Sequence, residues 1–264
     1  MVRRPLGNHH DGPDTLLVTS DTAQTEQVTA ETEKLRELIK LARYVAFDFD
    51  GPICRLFAGH RAELIADEQV RWLGDRGLHG LLTPAERDHP DPHVVLRAVN
   101  ERHPGSDLAA ELEERLTQHE LRAAASAMPT AFADPLIRTW TAVGARLAIV
   151  TNNSARTAYA YLADRGLTSC FDPHVYGRTQ ELHLMKPDPY RLNQALSAMG
   201  AAPSSSLMIG DAPSDYVAAQ AAGTHFLGYA RNERKYEALR KAEVEPAHIV
   251  TSLEPVLHLL RAHP

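Results

Sequence analysis

Tyr44-Val45-Ala46-Phe47-Asp48-Phe49-Asp50-Gly51-Pro52 decides the fold of this chain. The first four residues are apolar or aromatic and suit a short buried strand, and the acids, glycine and proline that follow end it sharply. Upstream, Leu35, Leu38, Ile39 and Ala42 recur at helical spacing, with Glu31 and Glu33 early and Lys40 and Arg43 late, which predicts a lead-in helix over 31–43. Downstream, a regular alternation begins at about residue 133: helix 133–143, strand 146–151, helix 154–165, a strand near 174–177, helix 189–199, strand 206–210, helix 213–222 and strand 224–228. A strand at 248–251 and a closing helix complete it. Apolar strands alternating with helices predict an α/β fold, a parallel sheet covered by helices on both faces.

From Asp48 to Thr151 is 103 positions, far more than the roughly 30 residues of one strand-helix-strand unit. Helical patterns at 60–78, 91–103 and 106–125, broken by proline and glycine, fill that interval without a convincing strand. The expected organisation is therefore a disordered tail over 1–28, a core over 29–57 and 130–264, and an inserted all-helical domain over 58–129. A length of 264 residues with 44% hydrophobic side chains is enough for a large core and a small second one. The net charge of −6 argues against a broad basic footprint for nucleic acid or an anionic membrane. No apolar run reaches the roughly 20 residues of a membrane span, and Arg3-Arg4 leads into polar sequence rather than a signal-peptide core. Two cysteines, Cys54 and Cys170, make no disulfide framework, so the expected location is cytoplasmic and the expected partner a small molecule.

Ligands of open parallel sheets bind outside the carboxyl ends of the strands. Those ends carry Asp48 and Asp50, then Thr151-Asn152-Asn153, then Gly210-Asp211 with Asp215, and Lys186 lies in the connection before the last of these. Convergence would gather carboxylates that repel one another unless a cation offsets them, and with oxygen ligands the natural cation is Mg²⁺. Each piece alone has a plain structural reading: a strand-ending turn, a helix cap, a proline opening a helix. Four such readings in this order are far less probable together. Only five of the 28 basic residues are lysines, and Lys186 is the only lysine between Lys40 and Lys235, which hints at a position that needs a compact ammonium.

With these residues the sequence resembles the haloacid dehalogenase-like phosphatase superfamily, whose four motifs are matched by DFDGP at 48–52, TNNS at 151–154, KP at 186–187 and GDAPSD at 210–215. It is similar to the branch with a helical cap inserted after the first motif, the phosphoglycolate phosphatase and β-phosphoglucomutase-like branch. The resemblance implies a Rossmann-like sheet and the role of each residue. Asp48 is the implied nucleophile that forms an aspartyl-phosphate, and Asp50 the acid and base, with its backbone carbonyl toward the metal. Asp48 and Asp211 are the implied Mg²⁺ ligands with Asp215 in support, Thr151 and the Asn152 backbone hold the phosphoryl group, and Lys186 neutralises the nucleophile and substrate. Two departures stand out: Pro52, where the family commonly has a small β-branched residue, and the unmatched segment Arg178 to Met185.

Arg55, His60 and Arg61 follow the first motif and are candidates to reach a substrate carboxylate or second phosphate, with hinges expected near 55–60 and 127–132. Arg97 and Arg102 read as solvated, Trp72 and Trp140 as core, and Cys54 as an apolar filler. The expected function is Mg²⁺-dependent hydrolysis of a small phosphate monoester. A phosphomutase or phosphotransferase of the same fold, or a non-catalytic phosphate-binding protein, are the alternatives.

Overall fold

A computed structural model of the chain describes the backbone of residues 18–262 and the side chains of residues 30–262. Of the stretch expected as a tail, residues 1–17 lie outside the described residues, and 18–28 belong to a helix, Val18–Leu41, that starts well before the lead-in helix expected from Glu31. Its early turns lack an apolar stripe, so hydrophobic periodicity could not mark where it begins. Its later turns bury Leu35, Leu38 and Ile39 in the same cluster as Val256, Leu257 and Leu260 of the closing helix Glu254–Ala262.

The strands are β1 (Tyr44–Phe47), β2 (Cys54–Arg55), β3 (Met128–Pro129), β4 (Arg146–Ser154), β5 (Val175–Arg178), β6 (Ser206–Gly210), β7 (His225–Tyr229) and β8 (Ile249–Val250). Six of them form one sheet in the order β5-β4-β1-β6-β7-β8, and every pairing in it is parallel. β1 lies between β4 and β6, with Phe47 opposite Ile149 on one side and Ile209 on the other. Alternation along each strand feeds two cores. Val45, Phe47, Leu147, Ile149, Leu207 and Ile209 pack on one face with Trp140, Leu162 and Leu257 of the covering helices. Ala46, Ala148, Val150 and Met208 pack on the other with Leu192, Leu196, Ala219 and Leu239. The fold is α/β and Rossmann-like, with helices on both faces.

Between β2 and β3 the chain forms helices Ala62–Asp75, Pro84–Arg87, Pro92–Arg102 and Asp107–Ala124. Their starts follow from local chemistry: Thr83 and Glu86 make a capping box, Asp91 accepts from His93 N at 2.9 Å, and Ser106 accepts from Ala109 N at 3.2 Å. Ile65, Leu73, Leu96, Val99, Leu112 and Leu116 give this insertion its own core, and Leu182 and Met185 from the chain before Lys186 pack into it. β2 and β3 pair antiparallel, Cys54 with Pro129 and Arg55 with Met128, and tie the two ends of the insertion together. This ribbon was not expected, because strands of two residues carry no periodicity. Helix Glu233–Lys241 was also missed; it is charged over most of its length and Leu239 is the residue it buries. No helix of the described residues is long and apolar enough to cross a membrane.

Candidate active site

β1 delivers Asp48 and Asp50 to the carboxyl edge of the sheet, and β6 delivers Asp211 beside them. One oxygen each of Asp48, Asp211 and Asp215 lies within 4.8 Å of the others. Two glycines permit that crowding. A Cβ on Gly51, whose φ is +118°, would stand 2.6 Å from the Asp211 carboxylate, and one on Gly210 would stand 2.4 Å from that of Asp215. The turn after Asp50 is closed by Gly51 N donating to the Cys54 carbonyl at 2.7 Å, and by Cys54 N donating to the Phe49 carbonyl at 3.2 Å. Neither bond uses the nitrogen of residue 52, so Pro52 fits the turn without forfeiting a partner.

Lys186 is buried at 2% exposure, and its ammonium has three acceptors: Asp48 Oδ1 at 2.8 Å, Asp215 Oδ1 at 2.7 Å and the Val150 carbonyl at 2.7 Å. Burial works against its charge, but the two carboxylates outweigh it and hold its pKa above the ordinary value. The other oxygen of Asp215 accepts from the backbone N–H of Asp211 and of Ala212, both at 3.0 Å. Asp211 Oδ2 pairs with Lys235 Nζ at 2.8 Å. Asp48 Oδ2 and Asp211 Oδ1 therefore remain without a hydrogen bond among the described residues, while both oxygens of Asp215 are engaged.

Burial pushes the Asp48 carboxyl up to about 6, with Lys186 opposing and Asp215 and Asp211 adding to it. Asp211 is likewise pushed up to about 6 by burial, against the pull of Lys235. Asp50, raised to about 6 by burial, is fixed by accepting Leu56 N at 2.8 Å. A cluster of hard oxygen donors, two of which keep an oxygen without a hydrogen bond among the described residues, fits a divalent cation such as Mg²⁺. Cys54 is buried with its thiol pushed well up by the same desolvation, consistent with a filler role.

Asp48, Asp50, Lys186, Asp211, Asp215, Asn152 and Arg55 line one cleft of about 600 Å³. Two expected residues do not. The Thr151 hydroxyl is buried and bonded within its own turn, accepting Asn153 N at 3.1 Å and donating to Asn153 Oδ1 at 3.2 Å. His60 stacks on His119 of the insertion, with ring centroids 5.4 Å apart and Nε2 to Nδ1 at 3.1 Å, so its ring is spent away from the cleft. Asn152 uses its side chain on the lysine segment: Oδ1 accepts Lys186 N at 2.8 Å and Nδ2 donates to Lys186 O at 3.0 Å. Arg97, expected in solvent, is half-buried and donates from the insertion to the same carbonyl at 2.7 Å.

Beside this cleft lies a network absent from the expectations. Arg178 at the end of β5 is buried, and its guanidinium donates to Glu113 Oε1 at 3.0 Å, to Glu120 at 2.7 and 3.2 Å, to Thr117 at 3.1 Å and to the Asn152 carbonyl at 2.8 Å. Glu120 also accepts Asn153 Nδ2 at 3.0 Å and Ser154 N at 2.8 Å. Insertion and core thus meet on a buried ion pair. The spacing of Glu113, Thr117 and Glu120 down one face of their helix was the available signal.

A family model described as haloacid dehalogenase-like hydrolase matches residues 42–223, which include every expected metal and catalytic residue. This chain belongs to that family. Among curated relatives of this family member, the phosphoglycolate phosphatase of Nitrosococcus oceani is 34% identical over 119 residues, covering 44% of this chain and 50% of the relative. The pyrophosphatase PpaX of Bacillus velezensis is 31% identical over 116 residues, covering 44% of this chain and 52% of the relative. The chain spans about half the length of these relatives. Its fold matches a solved structure of a predicted phosphatase from Clostridium acetobutylicum at a TM-score of 0.61, with 16% identity over 83% of this chain and 98% of that one. A putative phosphoglycolate phosphatase from Lactobacillus plantarum matches at 0.60, with 19% identity, over 83% of this chain and 99% of that one.

Proposed function

We propose that this haloacid dehalogenase-like hydrolase is a Mg²⁺-dependent phosphatase that cleaves small phosphate monoesters through an aspartyl-phosphate on Asp48. The observation that carries the reading is the Lys186 ammonium shared between Asp48 and Asp215 at the floor of a cleft that also holds Asp50 and Asp211. A carboxylate nucleophile can approach an anionic phosphoryl group only where positive charge is already in place, and Lys186 supplies it. Names of the relatives, phosphoglycolate phosphatase and pyrophosphatase, support phosphoryl chemistry.

Asp48 and Asp211, with the backbone carbonyl of Asp50, would hold the Mg²⁺, which when bound neutralises the phosphoryl oxygens. Asp215 would serve it indirectly, since its oxygens already brace Lys186 and the turn at Asp211. A carboxylate oxygen of Asp48 attacks phosphorus as the bond from phosphorus to the leaving oxygen breaks, and protonated Asp50 gives that oxygen its proton. Asp50 then takes a proton from a water whose oxygen attacks phosphorus, the bond to Asp48 breaks, and phosphate leaves with the carboxylate restored. Asn152 and Arg97 hold the main chain at Lys186, which keeps the ammonium aimed. The helical segment 58–129 acts as a cap on the cleft, with the β2 and β3 ribbon as its hinge.

Phosphate release from p-nitrophenyl phosphate, with and without Mg²⁺, tests the reading against Asp48→Asn as the blank. Turnover that needs Mg²⁺ and is lost in the variant is expected. Activity that survives chelator, or that Asp48→Asn retains at near wild-type level, would overturn it.

A further inference from the structure

The inner carboxylates of the cleft have their own cations, Lys186 for Asp48 and Asp215 and Lys235 for Asp211. Besides Arg61, three arginines nevertheless line the same cleft: Arg55 on β2, and Arg231 and Arg234 in the segment that follows β7. All three are exposed, and none has a hydrogen bond or ion pair among the described residues. Three guanidinium groups without a partner among the described residues therefore face the cleft that holds Asp48, Asp50, Asp211 and Lys186. Their forked donors suit a carboxylate or a phosphate.

Charge in the cleft points the same way. Arg61 is paired with Glu63 and His93 with Asp91, which leaves five cations (Arg55, Lys186, Arg231, Arg234, Lys235) facing four carboxylates (Asp48, Asp50, Asp211, Asp215). With Asp50 protonated for the leaving oxygen the excess is two; a divalent metal raises it to four, and a phosphoryl dianion takes up two. Two positive charges are left over for a further anion. Position supports this, because Arg231 and Arg234 line the same cleft as Asp50, the group assigned to the leaving oxygen. Arg231 and Arg234 also lie beyond residues 42–223, outside the stretch the family model describes.

We propose that Arg231 and Arg234, together with Arg55, bind a second anionic group carried on the leaving-group side of the substrate, so that the preferred substrates are phosphate esters or anhydrides whose leaving group bears a carboxylate or another phosphate. This specificity subsite rests on the phosphatase reading above. It makes the rim a selector of substrates while the floor performs the chemistry. Exposed arginines can be changed without disturbing a core, so the subsite is open to direct test.

The experiment measures kcat/KM of the full chain with Mg²⁺ on phosphoglycolate, inorganic pyrophosphate and p-nitrophenyl phosphate, in the wild type and in the double variant Arg231→Gln/Arg234→Gln. The wild type should favour at least one of the two doubly anionic substrates over the aryl ester, and the favoured one tells a carboxylate from a phosphate. In the double variant that preference should fall at least about tenfold, chiefly through KM, the loss expected for charge-assisted hydrogen bonds. Arg231→Lys/Arg234→Lys should restore part of it. A wild type without the preference, or a preference that the double variant keeps, overturns the subsite while leaving the phosphatase reading intact. Absence of Mg²⁺-dependent turnover of all three substrates overturns the phosphatase reading itself, and the subsite with it.

Discussion

Replacing Glu120 by Gln should destabilise the fold far more than a change of one oxygen for one nitrogen suggests. Glu120 has no exposed surface, and its two oxygens receive four donors: Arg178 Nη1 and Asn153 Nδ2 on Oε1, and Arg178 Nη2 and Ser154 N on Oε2. Glutamine has one acceptor oxygen, so its NH₂ must face a pair of donors whichever way it turns. Arg178, itself buried, would keep Glu113 as its only carboxylate among the described residues. Removing one partner of a buried ion pair costs about 3–5 kcal/mol, because the remaining charge stays desolvated. Urea unfolding of the purified chain measures this, with Glu114→Gln as the control. Glu114 and Arg156 are 2.8 Å apart but both about half exposed, and such a pair contributes at most about 1 kcal/mol. The double variant Glu120→Gln/Arg178→Met should be less destabilised than the sum of the single changes, since it removes the stranded charge. Acid supplies a second reading of the same group. Burial tends to raise the Glu120 pKa, but Arg178 outweighs it and holds the carboxyl at about 2, below its ordinary 4.5. The folded-state value is the lower one, so the contribution is complete above pH 4.5 and fades as pH falls toward about 2, a slope that Glu120→Gln should lack. A loss below about 1 kcal/mol for Glu120→Gln would refute the picture of a buried, unshared charge network.

Other consequences can be measured on the same protein. Lys186→Met removes the ammonium between Asp48 and Asp215, and kcat for p-nitrophenyl phosphate should drop by at least about a hundredfold; an unchanged kcat would contradict its role. Gly210→Ala places a Cβ 2.4 Å from the Asp215 carboxylate, so the Mg²⁺ concentration for half-maximal activity should rise, and an unaltered Mg²⁺ titration would show that Asp215 does not brace the metal residues. His93 faces Asp91, Glu120 and Arg178. Burial opposes its charge, but Asp91 prevails and lifts its pKa from 6.5 to about 9. Its contribution is therefore complete below pH 6.5 and lost as pH rises through about 9. Wild type should lose stability in urea between about pH 6 and about pH 10, and His93→Gln should lose less; equal losses would remove His93 from the account.

The gathering of residues at the floor of the cleft was legible because strand ends mark themselves. A buried apolar run must stop where the chain meets solvent, so the first polar residues after Phe47 and after Ile209 are bound to stand at the sheet's edge, and in a parallel sheet those edges coincide. Lys186 announced itself differently, as a lysine in a chain that otherwise prefers arginine. Lys235, which completes the charge balance at Asp211, was hidden because its helix buries little more than Leu239 and so carries no apolar stripe.

What stayed illegible depends on how the insertion docks. Glu113, Thr117 and Glu120 form a polar face that water would accommodate as well as a guanidinium, and only packing against β5 decides between them. Their partner Arg178 lies 65 positions from Glu113 and 58 from Glu120, with no local signal linking the ends. His60 and Arg55 illustrate the converse. They are close in sequence and were expected to share a task, yet the turn at Leu56–Ala58 leaves Arg55 on the cleft and sends His60 onto His119. Residue type and proximity to a motif fix what a side chain is able to do; the direction of the backbone fixes what it meets. Where a strand imposes that direction, function can be read from order along the chain, and where a hinge imposes it, only the folded arrangement tells.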